Sequence, residues 1–311
     1  MRVARLALAA LALNWATAGE LCRSWGQPTV IGRLDVDLLP EASGLAASRR
    51  FEGRLYHIND SGHGPYFYTT DGRGENTLRV RIDGLAAVDP EDLSLGPCAG
   101  GESCLFVGDI GDNQARREHI EIAVLFEEER FASSVAPYRL VRARYPDGPR
   151  DAEALAVHPN GDVYILSKEG DLFRLESAPA RLYRLPRESW EERSDELHTL
   201  AFVAELDLPK LNRWHTSLLG WRATAMDMTD SGDRFLVLTY ENALEFAVDL
   251  ATGLPPTGEL APGRDFRRIE LRVLPQQEAI AYLPEERSFV YSTEVRAPFA
   301  EAELVRVDCR D

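Results

Sequence analysis

The chain has 311 residues, a formal net charge of -16 and a sequence pI near 4.9. A charge of this sign is repelled by phosphate backbones and anionic lipids. The composition therefore argues against binding to nucleic acids or to anionic membrane surfaces. No apolar stretch is long enough to span a bilayer as a helix. We expect a monomeric protein that binds a small molecule, another protein or a glycan.

The N-terminus has the pattern of a secretory signal peptide. Arg2 and Arg5 precede an apolar run at 6–13, and Ala-Thr-Ala follows at 16–18. This order of charged, apolar and small residues predicts cleavage after residue 18, with a mature single domain at 19–311 that is secreted or periplasmic. The alternative is a buried N-terminal helix. Loss of the two arginines would change the net charge from -16 to -18.

Four cysteines in an exported chain predict two disulfides, for which three pairings are possible. They are Cys22, Cys98, Cys104 and Cys309. Cys98 and Cys104 are close in sequence and would clip one loop, which leaves Cys22 to join Cys309 and tie the two ends of the mature chain together. The residue before Cys22 is Leu21, which is too large for a lipid-attachment motif, and no Cys/His spacing suits zinc.

A weak repeat runs through the mature chain. Each unit begins with an acidic residue and a short apolar strand, and three of the units then enter a turn rich in Gly, Asn, Asp or Pro. The acidic residues are Glu41, Glu91 (or Asp92), Glu153, Asp227 and Glu278. A second strand rich in β-branched and aromatic residues follows each time, at 54–59, 105–108, 162–167, 234–240 and 288–293. Third and fourth strands follow in most units, for example 66–70 with 78–82 and 120–126 with 138–144.

Four antiparallel strands repeated radially predict an all-β fold, a β-propeller. The last unit has strands at 279–283, 288–293 and 302–308 and lacks a fourth, whereas the segment 29–38 is a strand without a unit. We therefore expect the N-terminal strand to close the ring, with the bridge from Cys22 to Cys309 beside the seam. This arrangement favours five blades. Six remain possible if the long gap before Asp227 holds another blade around 199–208. The one short helix predicted lies at 189–196.

The first strand of a blade lines the central channel and the second returns antiparallel to it. Starts of first strands and ends of second strands therefore meet at one mouth, and both places are acidic or polar in this chain. The expected metal ligands are Glu41, Glu91, Glu153, Asp227, Glu278, Asp60, Asp109, Asp112 and Asn113. Carboxylates that converge without basic partners need a cation or shifted pKa values, and all-oxygen ligands suit Ca²⁺. The alternative is that each residue is a solvated turn residue.

Other polar residues at these strand ends are candidates for contact with a ligand. They are Asn59, His57, Lys168, Glu241 and Glu294. The chain has no Gly-x-Ser-x-Gly motif, no phosphate-binding loop and no His-Glu-x-x-His motif, so no catalytic residue is predicted.

Six segments carry a resemblance to known proteins: 41–45, 59–62, 91–93, 107–113, 151–155 and 277–281. They resemble exported bacterial propeller proteins of undefined activity and, more distantly, the calcium-dependent β-propeller phytases and the five-bladed calcium-activated nucleotidases (apyrases). The resemblance implies channel carboxylates that hold calcium and a phosphate ester bound over the ion. The phytases use several lysines and arginines to bind phosphate, whereas among lysines this chain offers only Lys168.

These observations predict a secreted, calcium-binding propeller that binds an anionic, phosphorylated small molecule at the carboxylate mouth. If it is an enzyme, it is a calcium-dependent hydrolase, with phosphoric esters as the first class of substrate. Two alternatives are a propeller module that binds a protein or glycan around a structural cation, and a lactonase-like hydrolase.

Overall fold

The computed structural model describes residues 19–170, 178–191, 196–209, 220–248, 260–272, 274–295 and 301–310. The predicted signal peptide at 1–18 lies outside these ranges. In the described part, antiparallel sheets form the five blades of a β-propeller, as predicted. Each blade has four main strands, named A to D from the channel outwards.

The strands follow the chain in order from blade 1 to blade 4. Blade 1 contains β3 (Ala42–Ala47), β4 (Leu55–Asn59), β5 (Tyr66–Thr70) and β6 (Leu78–Ile82). Blade 2 contains β7 (Pro90–Pro97), β8 (Ser103–Asp109), β9 (Ile120–Phe126) and β11 (Arg139–Arg144). Blade 3 contains β12 (Ala152–Val157), β13 (Val163–Ser167), β14 (Ala180–Leu185) and β16 (Ala201–Leu206). Blade 4 contains β17 (Ala223–Met228), β18 (Arg234–Thr239), β19 (Asn242–Ala247) and β20 (Phe266–Glu270).

Blade 5 closes the ring with strands from both ends of the chain. It contains β21 (Gln277–Tyr282), β22 (Ser288–Thr293), β23 (Glu303–Arg310) and the N-terminal β2 (Thr29–Arg33). Strand β2 pairs antiparallel with β23, and β1 (Ser24–Trp25) pairs with the end of β23. A disulfide joins Cys22 to Cys309 beside this seam, and a second joins Cys98 to Cys104. The predictions of ring closure and of both pairings are confirmed.

Short elements connect neighbouring blades. Strand β10 (Ser134–Val135), from blade 2, pairs in parallel with the outer strand of blade 1, and β15 (Leu197–Thr199), from blade 3, pairs in parallel with that of blade 2. The segment 199–208 therefore extends blades 2 and 3 and is not a sixth blade. The predicted helix is observed as α1 (Arg187–Glu191), whose Trp190 is buried against Phe106 of blade 2. A 3₁₀ turn spans Ala99–Gly101.

Every A strand has a bulge at the same place, near its start. The pairing with strand B skips one residue in each blade: Ser43, Glu91, Glu153, Thr224 and Glu278. A bulge bends its strand and re-aims side chains. The bulged residue marks the same position in every blade. Residues of different blades can therefore be compared by their distance from the bulge, which we call the bulge frame.

The residues directly after the bulges fill the channel. Four of them are small, namely Gly44, Ala154, Ala225 and Ala279, and the fifth is Asp92. A Cβ on Gly44 would lie 2.8 Å from the backbone nitrogen of Leu93, so this blade leaves no room for a side chain. The Asp92 carboxylate is fully buried and accepts hydrogen bonds from the backbone nitrogens of Leu155 (2.8 Å) and Met226 (3.1 Å). It joins blades 2, 3 and 4 at the centre of the ring, and so Asp92 is a structural residue.

Candidate functional site at the acidic mouth

The candidate site is the mouth of the channel where the A strands begin, here called the acidic mouth. In four blades a backbone hydrogen bond joins the loop after strand B to the segment before strand A. The donor nitrogens belong to Asp60, Gly111, Lys168 and Glu294, and the acceptor carbonyls to Glu41, Asp89, Asp151 and Gln276, over 2.9–3.1 Å. The two places therefore meet at one mouth, as the sequence predicted.

Three carboxylates from blades 1 and 2 converge at this mouth. Asp60 follows strand B of blade 1, and Asp89 and Glu91 precede and begin strand A of blade 2. One oxygen from each lies within 4.8 Å of the others, and Glu91 is buried whereas Asp60 and Asp89 are partly exposed. Gly111 closes the cluster from the side, because a Cβ there would lie 2.7 Å from Oδ2 of Asp89.

Burial and neighbouring carboxylates raise the pKa values of Asp89 and Glu91 in this cluster. Burial, with Asp60 and Asp151 nearby, raises the pKa of Asp89 to about 6. Burial and the same Asp60 carboxylate raise the pKa of Glu91 well above its usual range. Glu294 of blade 5 is also buried, and with Glu278 and Asp60 close by its pKa rises to about 9. We call Asp60, Asp89, Glu91 and Glu294 the acidic half of the mouth.

On the other side of the mouth, one lysine compensates the carboxylates. The Lys168 ammonium forms an ion pair with Glu153 and donates a hydrogen bond to the Tyr240 hydroxyl (2.9 Å), which in turn donates to Oε1 of Glu278 (2.6 Å). Only 10% of the Lys168 side chain and 5% of the Glu153 side chain are exposed. We call Glu153, Lys168, Tyr240 and Glu278 the paired half. It links blades 3, 4 and 5 through one chain of polar contacts.

Two buried carboxylate oxygens at this mouth have no hydrogen-bond partner among the described residues. They are Oε2 of Glu153 and Oε1 of Glu294, whose second oxygen accepts a bond from the Gln276 amide (3.1 Å). A buried acceptor without a donor is costly. Such oxygens are available to a cation, a bound water or a ligand hydroxyl.

The bulge frame also shows which repeat positions were compared wrongly in the sequence. Asp227 lies near the far end of β17, where Oδ2 accepts a bond from the Tyr282 nitrogen (2.8 Å) and burial raises its pKa to about 6. The equivalent of Glu91 in blade 4 is Thr224, and in blade 1 it is Ser43. The weak repeat does not mark the bulge, so it predicts the acidic residue three positions further on in place of Thr224.

Asp109 and Asp112 do reach the region of the mouth, but their oxygens serve the backbone. Asp109 is buried, accepts bonds from the nitrogens of Val88 and Asp89 (3.0 and 2.7 Å), and pairs with Arg117 (2.8 Å). Oδ2 of Asp112 accepts two backbone bonds from the turn that follows it (2.6 and 2.7 Å). The structure thus uses both residues to shape the loops that position Asp89.

Asn59 and His57, expected to contact a ligand, lie on strand B of blade 1. Asn59 is buried and its amide binds the backbone of Glu41 and Leu38. His57 is buried within the blade, bonds the Thr70 hydroxyl (2.9 Å), and burial lowers its pKa to about 3. His57 is therefore a core residue and not part of the mouth, because alternate strand positions face into the sheet packing.

The remaining predicted residues surround the two halves of the mouth. Glu41 is partly exposed and its carboxylate lies 3.3 Å from the His63 ring. Glu241 is buried just before β19, and Asn113 is exposed beside Lys168 in a cleft of about 360 Å³.

The sequence reading missed Asp89 and Asp151, which occupy the same position two residues before a bulge. Asp151 is largely buried, which raises its pKa, and Oδ1 accepts a bond from the Asp112 nitrogen (2.9 Å). A signal was present, since Asp89-Pro-Glu91 and Asp151-Ala-Glu153 share the pattern of two acidic residues around one small or rigid residue.

Taken together, fold and site define a five-bladed β-propeller with a carboxylate-rich mouth. No helix of the described part is long and apolar enough to cross a membrane. The two disulfides are typical of proteins outside the cytoplasm.

Comparisons with known proteins agree with this class and go no further. No protein-family model matches the sequence, and no curated protein matches it. Solved structures do match. A Thermus thermophilus protein, described as a proposed oxidoreductase (glucose dehydrogenase), is 10% identical, with 90% of this chain and 99% of that chain covered and a TM-score of 0.48.

Two further solved structures show the same level of similarity. An auxiliary nutrient binding protein of Bacteroides thetaiotaomicron is 10% identical, with 90% and 75% covered and a TM-score of 0.45. Hydrazine synthase of Kuenenia stuttgartiensis is 12% identical, with 88% and 64% covered and a TM-score of 0.40, so this chain spans less than two thirds of that one. At these identities the likeness concerns the fold alone.

Proposed function

We propose that this protein is a secreted or periplasmic propeller that binds Ca²⁺ at the acidic half of its mouth and, through the ion, an anionic small molecule. The observation that carries the proposal is the convergence of Asp60, Asp89 and Glu91, with one oxygen from each within 4.8 Å of the others. Glu294 also supports it, because this buried carboxylate lies close to Asp60 and Glu278 and its Oε1 accepts no hydrogen bond within normal geometry from a described residue.

The donor set fits calcium better than other common ions. It consists of carboxylate oxygens without histidine or cysteine, and Ca²⁺ takes six to eight oxygen ligands. Three carboxylates would leave part of the coordination to water or ligand oxygens. Since Asp60 and Asp89 are partly exposed, a phosphoryl or carboxylate oxygen of a ligand could reach such an ion.

Binding is the favoured role, and hydrolysis is the second candidate. An ion at this place would polarise a phosphoryl oxygen, and the partnerless Oε2 of Glu153 could accept a proton from water. Assays with p-nitrophenyl phosphate, nucleotides, phytate and lactones, with and without calcium, separate the two. Absence of turnover in every assay would leave a binding protein.

Calcium binding is tested by thermal unfolding in EDTA and in calcium. Calcium at about a hundredfold its Kd should add about 2.7 kcal/mol, which for a domain of this size is roughly 4–5 °C in Tm. Glu91→Gln should abolish this shift, and Glu52→Gln, an exposed residue on the opposite side of blade 1, should leave it unchanged. An equal Tm in EDTA and calcium would refute the proposal.

A further inference from the structure

A second cleft, outside the acidic mouth, lies between blades 2 and 3. It has a volume of about 500 Å³ and is formed by the loop after β8, the end of β11 and strand β15. Three arginines and one histidine line it: Arg117, Arg144, Arg150 and His119. Its only acidic lining residues in the described part are Asp112 and Glu118. Arg117 and Arg150 form ion pairs with carboxylates, whereas Arg144 has no ion pair to a described residue.

Several side-chain donors in this cleft are not fully used by the fold. Arg144 is exposed, and its one side-chain hydrogen bond to a described residue runs from Nε to the Thr199 hydroxyl (3.2 Å). Arg117 uses only Nη1, which binds Asp109 and the Gly111 carbonyl (both 2.8 Å). His119 is partly exposed and has no hydrogen bond or ion pair to a described residue. Guanidinium groups with free donor faces bind carboxylates and phosphates well.

One of the two acidic residues of the cleft, Asp112, is held by hydrogen bonds to the backbone. The Asp112 carboxylate accepts two backbone N–H bonds, so it is held by the loop and not by the arginine side chains. Arg150, in contrast, is committed to Asp147 and Glu169, whose carboxylates offset its charge. The free donors therefore come from Arg117, Arg144 and His119.

The cleft also has an apolar wall. Leu197 is 42% exposed at its rim, and Ile120, Pro146 and Pro149 complete the wall. Tyr145 lines the base, where its buried hydroxyl has no hydrogen-bond partner among the described residues. Concave sites of this size, with an apolar wall and a few convergent polar groups, are typical of small-molecule pockets.

We propose that this cleft binds a small organic anion, with its acidic group on Arg144, Arg117 and His119 and its apolar body against Leu197 and the two prolines. The site does not depend on calcium or on the acidic mouth. It gives the protein a second ligand site, built from guanidinium and imidazole donors where the mouth is built from carboxylates.

The test uses calorimetric titration of the mature protein in EDTA with three probes. Benzoate carries both an anion and a ring, benzyl alcohol has the ring without the charge, and inorganic phosphate has the charge without the ring. Benzoate should bind, benzyl alcohol should not, and phosphate should bind more weakly than benzoate. Titration to about 10 mM would detect a Kd of about 1 mM.

Arg144→Met is the informative variant, because Arg144 is exposed, whereas loss of Arg117 would leave buried Asp109 without its ion pair. Loss of a charged hydrogen bond should weaken benzoate at least about tenfold. Arg81→Met, an exposed arginine of blade 1, and Glu91→Gln, at the mouth, should bind benzoate as the natural protein does. Near-ultraviolet circular dichroism of each variant checks its fold.

Two results would overturn the proposal: no heat from benzoate in a folded protein, or an affinity that Arg144→Met does not change. Loss of benzoate binding in Glu91→Gln would also contradict it, since that would assign the anion to the mouth.

Discussion

The two halves of the mouth are built from equivalent positions of the same repeat, yet they treat negative charge in opposite ways. The residue after strand B is Asp60 in blade 1 and Glu294 in blade 5, but Lys168 in blade 3 and Tyr240 in blade 4. The acidic half therefore collects carboxylates with raised pKa values, whereas the paired half supplies its own cation.

The difference explains where an external ion would be needed. In the paired half, the ammonium of Lys168 lies where it satisfies Glu153 and, through Tyr240, also reaches Glu278. In the acidic half no described lysine or arginine contacts Asp60, Glu91 or Glu294. Lys168 thus compensates carboxylates of the paired half, and the proposed calcium ion would do the same in the acidic half.

The largest effect should come from removing the internal cation. Lys168→Met leaves the buried Glu153 carboxylate without a partner, and breaking one member of a buried pair costs about 3–5 kcal/mol. Urea unfolding in EDTA measures this loss. The matched control is the double variant Lys168→Met/Glu153→Gln, which removes both charges and should recover most of the stability. If the single variant is as stable as the natural protein, the two halves do not differ as described.

A second prediction concerns pH and the acidic half. The folded pKa of Glu294, about 9, lies above that of the unfolded chain, so the folded state holds the extra proton between about pH 4.5 and pH 9. Its contribution to stability is present below about pH 4.5 and is lost as pH rises through 9. The pKa of Asp89 is raised to about 6, so Asp89 adds to the same loss of stability with rising pH, at lower pH values.

In EDTA, stability should therefore fall as pH rises from 5 to 9, and Glu294→Gln should flatten this dependence. The variant should be about 2 kcal/mol more stable than the natural protein at pH 8, because it no longer carries a buried ionisable group, and nearly equal to it at pH 4.5. Urea unfolding at both pH values gives the comparison. Parallel pH profiles of the two proteins would show that folding does not raise the pKa of Glu294.

The smallest effect should come from Tyr240→Phe, which cuts the chain of contacts in the paired half without removing a charge. The hydroxyl donates to Glu278 at 2.6 Å and accepts from Lys168 at 2.9 Å. We expect a loss of about 1 kcal/mol, the usual net value of a hydrogen bond. The calcium-induced change in Tm should persist, since the acidic half is untouched. A variant that loses the calcium response would show that the halves are coupled.

Much of the fold could be predicted from local patterns. Strands such as Tyr66–Thr70, Leu78–Ile82 and Ser288–Thr293 were located to the residue, because alternation of apolar residues between turns is a short-range signal. The N-terminal closure followed from counting strands. The cysteine pairs followed from the short spacing of Cys98 and Cys104, and the remaining pair agreed with that closure.

The site was predicted only in part, for a reason visible at the bulges. A bulge shifts register by one residue, and it depends on pairing with the neighbouring strand. Sequence similarity therefore aligned Asp227 with Glu91, although Thr224 is the true equivalent, and it passed over Asp89.

What the sequence by itself determined is the repeated four-stranded unit, the order of its main strands and the acidic character of the strand ends, since these depend on residues close together in the chain. The tertiary structure alone decided which carboxylates share a surface and which of them face a cation. Glu91 and Lys168 are far apart in sequence, and the balance of charge around each is set by the ring that brings the blades together.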